Sequence, residues 1–466
     1  MAQKAQTKPA KGTRDFLPAD LRRRRYVVDV IRRVYEAHGF SPLETPSFER
    51  LDTLLGKYGD EGDQLVFKIL HRGQNLVTGI RDAAEHLQNP AHVIVGRSGE
   101  TAPGAERLLA DMGLRYDLTV PLARVYAAHA GRLPSVFRRY QIQPVWRADS
   151  PGRGRFREFY QCDVDVVGAA GPTVEAEVVG AVSSCLDELG FESSEIRLNH
   201  RGLLRALVEV AGIPLALETA AIVALDKLDK IERAGVAKEM VDKGVEAGAA
   251  DRLLDIVLGD AALDAVEAAL GEHEAGRAAC AELRSVLELV EETPGKGKLR
   301  FNATLARGLG YYTGCIFEIV HPELSGSLGG GGRYDGLIGM FSGRDVPACG
   351  FSIGLERILV VMEEKEMFPP LPDVADVLVG FVTPDRQREA VRLAYALREA
   401  GQRVELHPKK DKPGRLRKQA LERGFEELVV LGPDPLNPPE RSWPRDPDRA
   451  AEVVHLPDTK PAGRDG

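Results

Sequence analysis

Hydrophobic and polar residues alternate with a period of two along both arms of the stretch from Phe137 to Gly168, FRRYQIQPVWRADSPGRGRFREFYQCDVDVVG. On the second arm Tyr160, Cys162, Val164 and Val166 alternate with Gln161, Asp163, Asp165 and Val167. On the first, Tyr140, Ile142, Pro144 and Trp146 oppose Arg139, Gln141, Gln143, Val145 and Arg147. That period predicts two strands, each with an apolar face on a core and a polar face on the other side. The turn between them carries Asp149, Ser150, Pro151, Gly152, Arg153, Gly154 and Arg155, so the pair reads as a hairpin with a charged tip.

Elsewhere the period is helical. Val27, Val30, Ile31, Val34 and Tyr35 recur at helical spacing and Gly39 closes the pattern, which predicts an amphipathic helix; the arginines Arg22 to Arg25 at its start read as a solvated face. From Arg201 to Thr293 the chain turns rich in Ala, Leu, Glu and Lys, with repeats such as Ile222, Leu225, Leu228, Ile231 and Leu283, Val286, Leu287, Val290, predicting a helical insertion. The segment from His71 to Met112 has no sustained period and reads as an insertion in a peripheral loop. After the linker FPPLPD (Phe368 to Asp373), VADVLVGFV, a helix near Asp385 to Ala400, RVELHP, a helix near Pro413 to Arg423 and ELVVLG alternate as βαβαβ, a small parallel sheet. The expected domains are 1–365, with 201–293 inserted, and 374–466.

Charge and composition narrow the function classes. At 466 residues, 43% hydrophobic and 28% charged, the chain can bury a substantial core and form two or three domains. Its net charge of −8 argues against a protein held to nucleic acid by its overall field, so any RNA contact would come from local basic patches. One such patch is Lys409, Lys410, Lys412, Arg415, Arg417 and Lys418, beside a strand end of the last domain. The five cysteines are far apart, with no CxxC pair and no zinc spacing, and read as reduced packing residues. The first twelve residues lack the apolar core of a signal peptide, and no run of about twenty apolar residues suggests a membrane span, so no membrane association and a cytoplasmic location are expected.

Every cation from Arg138 to Arg157 is Arg. A solvated edge would mix in Lys, whereas the planar guanidinium fork suits bidentate phosphate recognition. A polyanion site and a solvated face therefore stand as the two readings. Three glycine-rich segments follow, LARGLGYYTGCIFEIV, SLGGGGRYDGLIGMF and PACGFSIGLERILVVM, and none is a Walker loop or a dinucleotide fingerprint. Gly350 to Gly354 spells G-x-S-x-G, the elbow of some hydrolases around Ser352, with His407 and His455 downstream. The competing expectation is a strand, Ala348 to Ser352, feeding a helix from about Gly354 that puts Arg357 in its first turn, an end suited to anions.

The segment W-R-A-D-S-P-G-R-G-R-F-R-E-F-Y-Q resembles motif 2 of class II aminoacyl-tRNA synthetases, and most that of the histidyl enzyme. FSPLETPSFE resembles motif 1, part of that family's dimer interface, with Pro46 at its proline; G-L-E-R-I is similar to motif 3; R-G-L-x-Y-Y-T-G and G-G-G-R-Y-D-G match the two histidine signatures. The resemblance runs from Lys11 to about Met362, and the last domain resembles the family's anticodon-binding domain until the prolines after Gly432 replace an expected further strand and helix.

The resemblance implies an α/β (α+β) fold: an antiparallel-sheet catalytic domain with a helical insertion and a small C-terminal α/β domain. It implies activation of histidine with ATP and Mg2+, transfer to tRNA(His), and a homodimer. Arg147 and Arg307 would bind the α-phosphate and carboxylate, Arg155 and Arg357 the outer phosphates with magnesium, and Phe159 would stack on adenine beside Asp149. Asp117, Thr119 and Gln161 would take the substrate amine, while Asp165 and Tyr312 would bind the imidazole, with Tyr311 and Tyr334 in the same site. No metal ligand is assigned. Gly310 stands where the family usually has Asp. Two rivals share the fold: a paralogue that senses histidine as the regulatory subunit of an ATP phosphoribosyltransferase, and a plain RNA-binding protein.

Overall fold

The computed structural model describes residues 7–57, 64–88, 108–228, 231–259, 262–306, 310–322, 324–371, 375–434, 436–446 and 449–454. The chain divides into two compact units, one of Met1–Asp15 with Arg23–Met367 and the other of Phe16–Arg22 with Phe368–Gly466.

The larger unit is built on an eight-stranded sheet. Its strands run in the order Ser41–Pro42, Phe137–Trp146, Glu158–Val167, Ala348–Gly354, Leu324–Arg333, Cys315–His321, Glu195–His200 and Leu299–Phe301. All neighbours are antiparallel except the pair at each edge. The predicted hairpin is present with Arg139 opposite Asp165, Gln141 opposite Asp163 and Gln143 opposite Gln161. Directly opposed residues share a face, so the alternation read from each arm separately merges into one polar floor. That floor is not solvated: Arg139, Gln141, Asp163 and Asp165 are all buried.

The floor continues across the sheet in small residues. Gly350, Ser352 and Gly354 oppose Asp165, Asp163 and Gln161, and Gly332 and Gly330 oppose Gly350 and Ser352 on the next strand. A Cβ at Gly350 would lie 2.0 Å from Oδ1 of Asp165, and one at Gly332 would lie 2.9 Å from the ring of Tyr312. The glycines are therefore the space across which those two side chains lie.

Fully buried arginines pin the edges of the floor. Arg115 donates from Nη1 to the Thr45 carbonyl (2.6 Å) and Gln143 Oε1 (3.0 Å), and from Nε to the Pro144 carbonyl (2.8 Å). The segment around Pro46 is thereby tied to the first hairpin strand. Arg24 pairs with buried Glu356 at 2.9 Å, whose other oxygen accepts the Tyr160 N–H (2.9 Å). One member of the Arg22 to Arg25 run is thus a buried structural cation, a correction to its reading as a solvated face; a lone buried carboxylate on another helix needs a counter-ion.

Between Arg201 and Thr293 the chain is helical, with Arg201–Val210, Glu218–Leu225, Arg233–Asp242, Ala247–Leu258, Leu263–Ala269 and Glu274–Val290. The segment after His71 differs from expectation. Gly73–Gln88 is a helix, and Ala110–Leu114 is the middle strand of a three-stranded sheet with Phe48–Arg50 and Lys68–Leu70. The helix faces inward with Gly79 and Ala83 while Val77 and Ile80 stand exposed. A Cβ at Gly79 would come 2.1 Å from the Leu108 carbonyl. With its buried stripe made of small residues, the helix carried no apolar period to read. The rest of that expected insertion, 89–107, lies outside the described residues.

In the smaller unit, strands Val377–Phe381, Val404–Leu406 and Glu427–Leu431 are parallel and are joined by the helices Gln387–Glu399 and Pro413–Arg423. Two further strands, Glu440–Ser442 and Glu452–Val453, add antiparallel at one edge. The prolines after Gly432 were expected to displace any further strand; they lie outside these two short strands instead, where no ladder N–H is required of them. Among the described residues no helix is long and apolar enough to cross a membrane.

Candidate active site

Asp117 precedes the helix Thr119–His129, and both of its oxygens are engaged. Oδ1 accepts the Val120 N–H at 3.0 Å, capping the helix, and Oδ2 accepts the Tyr311 hydroxyl at 3.0 Å. The cap is the ordinary use of such a residue; the tyrosine from a distant loop orients its other oxygen. Thr119 is the first residue of that helix.

On the floor, Gln161 donates to Ser352 Oγ at 2.9 Å and approaches Asp163 at 3.4 Å, and its Oε1 is buried without a hydrogen-bond partner. Ser352 lies within the strand Ala348–Gly354, between two hydrogen-bonded neighbours, and not at a strained strand-to-helix turn. The hydrolase elbow is therefore absent: Ser352 is a floor residue. The competing expectation holds, since the helix Leu355–Glu364 begins directly after Gly354.

Asp165 Oδ1 accepts the Tyr334 hydroxyl, and Oδ2 lies 3.0 Å from Nη2 of Arg139. The same nitrogen is 3.7 Å from Asp163. Tyr334 thus reaches Asp165 directly, while Tyr312 lies over Gly332 with its ring 5.0 Å from that of Tyr311, edge to face. Burial pushes the phenols of Tyr312 and Tyr334 well above their usual range, with neighbouring carboxylates adding to it. Burial also raises Asp163, against the pull of Arg139 and with the push of Asp165, to about 7; Asp165 is raised as well, again mainly by burial.

At the other end of the hairpin, Arg147 donates to the Tyr116 carbonyl at 3.1 Å, and its guanidinium carbon stands 4.2 Å from the Tyr116 ring and 5.2 Å from the Phe159 ring. A cation held beside an aromatic face offers both halves of a nucleotide site, a charge for phosphate and a plane for a base. At the turn Arg155 pairs with Asp149 at 2.5 Å, and Arg157 donates to the Asp149 carbonyl at 3.1 Å. Arg357 donates to the Ser327 carbonyl, and its Cγ would be 3.4 Å from a Cβ at Gly154, which places it between the hairpin turn and the strand Leu324–Arg333. Not every arginine of the run is available to an anion: Arg138 pairs with Glu177 at 2.7 Å and Arg153 with Glu364. Arg307 lies outside the described residues, and Gly310 is exposed with open space around its Cβ position.

The sequence motifs led to the expectation that Asp117, Gln161, Asp165, Arg147 and Phe159 share one site; Arg139, which the register sets against Asp165, was not among the expected site residues. The signal was present, since Arg139 sits on the polar row, but only the pairing of the strands puts it against Asp165.

A model of the histidyl-tRNA synthetase family matches residues 12–83 and 108–358. A histidine–tRNA ligase of Gloeobacter violaceus is 40% identical over 450 residues, 91% of each chain, and one of Christiangramia forsetii is 41% identical over 445 residues, 94% of each. Among solved structures, the histidyl-tRNA synthetase of Nostoc sp. PCC 7120 superposes with a TM-score of 0.75 at 27% identity over 97% of both chains. A Bacillus halodurans protein described as an ATP phosphoribosyltransferase regulatory subunit/histidyl-tRNA synthetase shares the fold, with a TM-score of 0.69 at 22% identity over 93% of this chain and 100% of that one. The family match spans the whole glycine-paved floor and the hairpin that walls it, and the chain belongs to the histidyl-tRNA synthetase family.

Proposed function

We propose that this protein is a histidine–tRNA ligase that joins histidine to ATP as histidyl-adenylate and passes the histidyl group to tRNA(His). The observation that carries this is one continuous floor with Asp117 and Asp165, each oriented by a tyrosine, and Arg147 beside Phe159 farther along the hairpin. Six residues separate Phe159 from Asp165, about 20 Å of strand, enough for a nucleotide and an amino acid end to end.

The substrate carboxylate attacks the α-phosphorus and pyrophosphate leaves, so no protein nucleophile is needed and the demand is for charge stabilisation and alignment. Arg147 neutralises the α-phosphate and carboxylate, Phe159 stacks on adenine, and Arg155 and Arg357 hold the outer phosphates. Arg307 is assigned to the same phosphate and carboxylate from its motif. Asp117, Thr119 and Gln161 take the amine; Asp165, with Tyr334, Tyr311 and Tyr312, takes the ring. A site that hydrogen-bonds both ring nitrogens rejects apolar isosteres by about 10⁴ to 10⁵.

Among the described residues no cluster of three or more His, Cys, Asp or Glu could cage a metal ion. Mg2+ suits such a site nonetheless, because it keeps most of its waters and takes one or two carboxylates with substrate phosphates; Asp149, beside Arg155, is the carboxylate at the hairpin turn. The ion would supply charge neutralisation on the pyrophosphate. We further assign 1–365, with its 201–293 insertion, as the catalytic domain, 374–466 as the tRNA-binding domain, a cytoplasmic location and a homodimer, the last testable by sedimentation at micromolar concentration.

The test is histidine-dependent exchange of pyrophosphate into ATP without tRNA, followed by charging of tRNA(His). Exchange with histidine and not with other amino acids is expected. A protein that binds histidine with no exchange would instead be a histidine sensor of the regulatory kind.

A further inference from the structure

Arg139 has no role in the reading above, yet it is the most enclosed charge in the site. It is 0% exposed and lies in the floor, on the strand next to that of Asp163 and Asp165. Its Nη2 is 3.0 Å from Asp165 Oδ2, 3.7 Å from Asp163 Oδ2 and 3.3 Å from the carbonyl of Leu118, the residue after Asp117. One guanidinium nitrogen therefore braces the ring end of the floor, through Asp165, against the amine end, through the backbone that carries Asp117. The contact to Asp165 is close enough for electrostatic pairing but misaligned for a hydrogen bond, so Oδ2 remains a buried acceptor without a donor, as does Gln161 Oε1. An acceptor left open beside a fixed cation is suited to an incoming N–H.

Resting on the ligase reading, we propose that Arg139 is a specificity-determining positioning residue: it holds Asp165 as a fixed carboxylate anion beside Asp163, so that Oδ2 accepts a ring N–H of the substrate histidine. Arg139 acts through Asp165 and touches no reacting atom. The groups facing the two carboxylates bear this out. Among the described residues they are Arg139 and Gln141 from one strand, Gln161 from their own, Ser352 and Cys349 from the strand on the other side, Asp117, Tyr312 and Tyr334 from the loops above, and, from farther off, Tyr35 and Arg115. Arg115 acts on Asp163 only from a distance, so among the described residues Arg139 is the cation within 4.0 Å of the two carboxylates, with Asp117 a third carboxylate nearby. Without it the remaining groups favour protonation of Asp165, because burial and like charge both act against a second anion, and a protonated carboxyl is a poorer acceptor for a ring N–H.

The experiment measures kcat/KM for histidine in pyrophosphate exchange from about pH 5.5 to 9 for the wild type, Arg139→Gln, Arg139→Lys and Asp163→Asn, with KM for ATP measured alongside. Arg139→Gln is expected to raise the histidine KM at pH 7 at least about tenfold, to leave the ATP KM within about twofold, and to move the acid limb of the profile up by about one pH unit or more, one unit being about 1.4 kcal/mol. Arg139→Lys keeps the charge and should keep the limb near its wild-type position, while losing some affinity through poorer geometry. Asp163→Asn removes the competing anion and should move the limb down. A role in packing alone would lower the melting temperature and leave the limb where it is. Should Arg139→Gln fail to fold, Asp163→Asn decides: an unmoved limb overturns the proposal and a downward shift supports it. Wild-type protein without histidine-dependent exchange would sink the ligase reading itself, whereas an active wild type with unmoved limbs in the variants sinks this inference alone.

Discussion

A methyl group at position 350, as in Gly350→Ala, would stand 2.0 Å from Oδ1 and 2.5 Å from Cγ of Asp165, and 3.0 Å from the Val164 carbonyl. The backbone there is not left-handed, so the effect is steric alone. Nonbonded heavy atoms settle near about 3.5 Å, so either the carboxylate or the strand must give by more than about 1 Å. The strand is hydrogen-bonded on both sides, which leaves the carboxylate to move, away from the Tyr334 hydroxyl and Arg139. Loss of a hydrogen bond to a charged group costs about 1.5–3 kcal/mol, and overpacking of a tight interior about 1–3 kcal/mol. The first figure, if expressed in binding, corresponds to a rise of about 10- to 100-fold in the histidine KM at 1.4 kcal/mol per decade. Arg147 and Phe159 lie about 20 Å along the hairpin and should keep the ATP KM near its original value. Pyrophosphate exchange at saturating ATP with varied histidine, together with a melting curve, reads both terms. A histidine KM within twofold of wild type would refute the placement of Asp165 as ring acceptor, whatever the melting temperature does.

Arg147→Ala should lower kcat for exchange by about 10²-fold or more, the usual loss for one transition-state charge contact; an unaltered kcat would remove Arg147 from the reaction. Glu356→Gln removes the buried carboxylate that faces Arg24 at 2.9 Å, and breaking a buried ion pair costs about 3–5 kcal/mol; a denaturant midpoint equal to wild type would show the pair to be dispensable. Asp163 gives a pH dependence of stability. Its folded pKa of about 7 lies above the unfolded value of about 3.9, so between those values the folded chain holds more protons than the unfolded one and stability falls as pH rises from about 4 to 7, then levels off. The difference in denaturant midpoint between Asp163→Asn and wild type should therefore grow in favour of the variant from pH 5 to pH 7.5, and a constant difference would count against a buried, protonatable Asp163.

The local periods of the chain determined a good deal. Strict alternation in Phe137 to Val167 can be satisfied by one backbone state only, and so the two strands, their polar row and the charged turn were legible, as was the helix that begins after Gly354. The βαβαβ order of the smaller unit followed in the same way from alternating apolar runs and helical repeats. The quoted motifs gave the expectation that Asp117, Arg147, Gln161 and Asp165 share one site, the last two on a single strand. What no local pattern carries is which strand lies against which. Arg139 looked like one more cation on a polar row until the register set it opposite Asp165, and Gly350 and Gly332 looked like flexible punctuation until neighbouring strands laid a carboxylate and a phenol ring across them. The buried Arg24 to Glu356 pair joins residues 332 positions apart, and the helix Gly73–Gln88 hides its inward face in Gly79 and Ala83, residues too small to mark a period. In each case a long-range contact decides the charge state or the packing of a residue, and the energy of that contact belongs to the pair, so it is absent from either sequence neighbourhood taken alone.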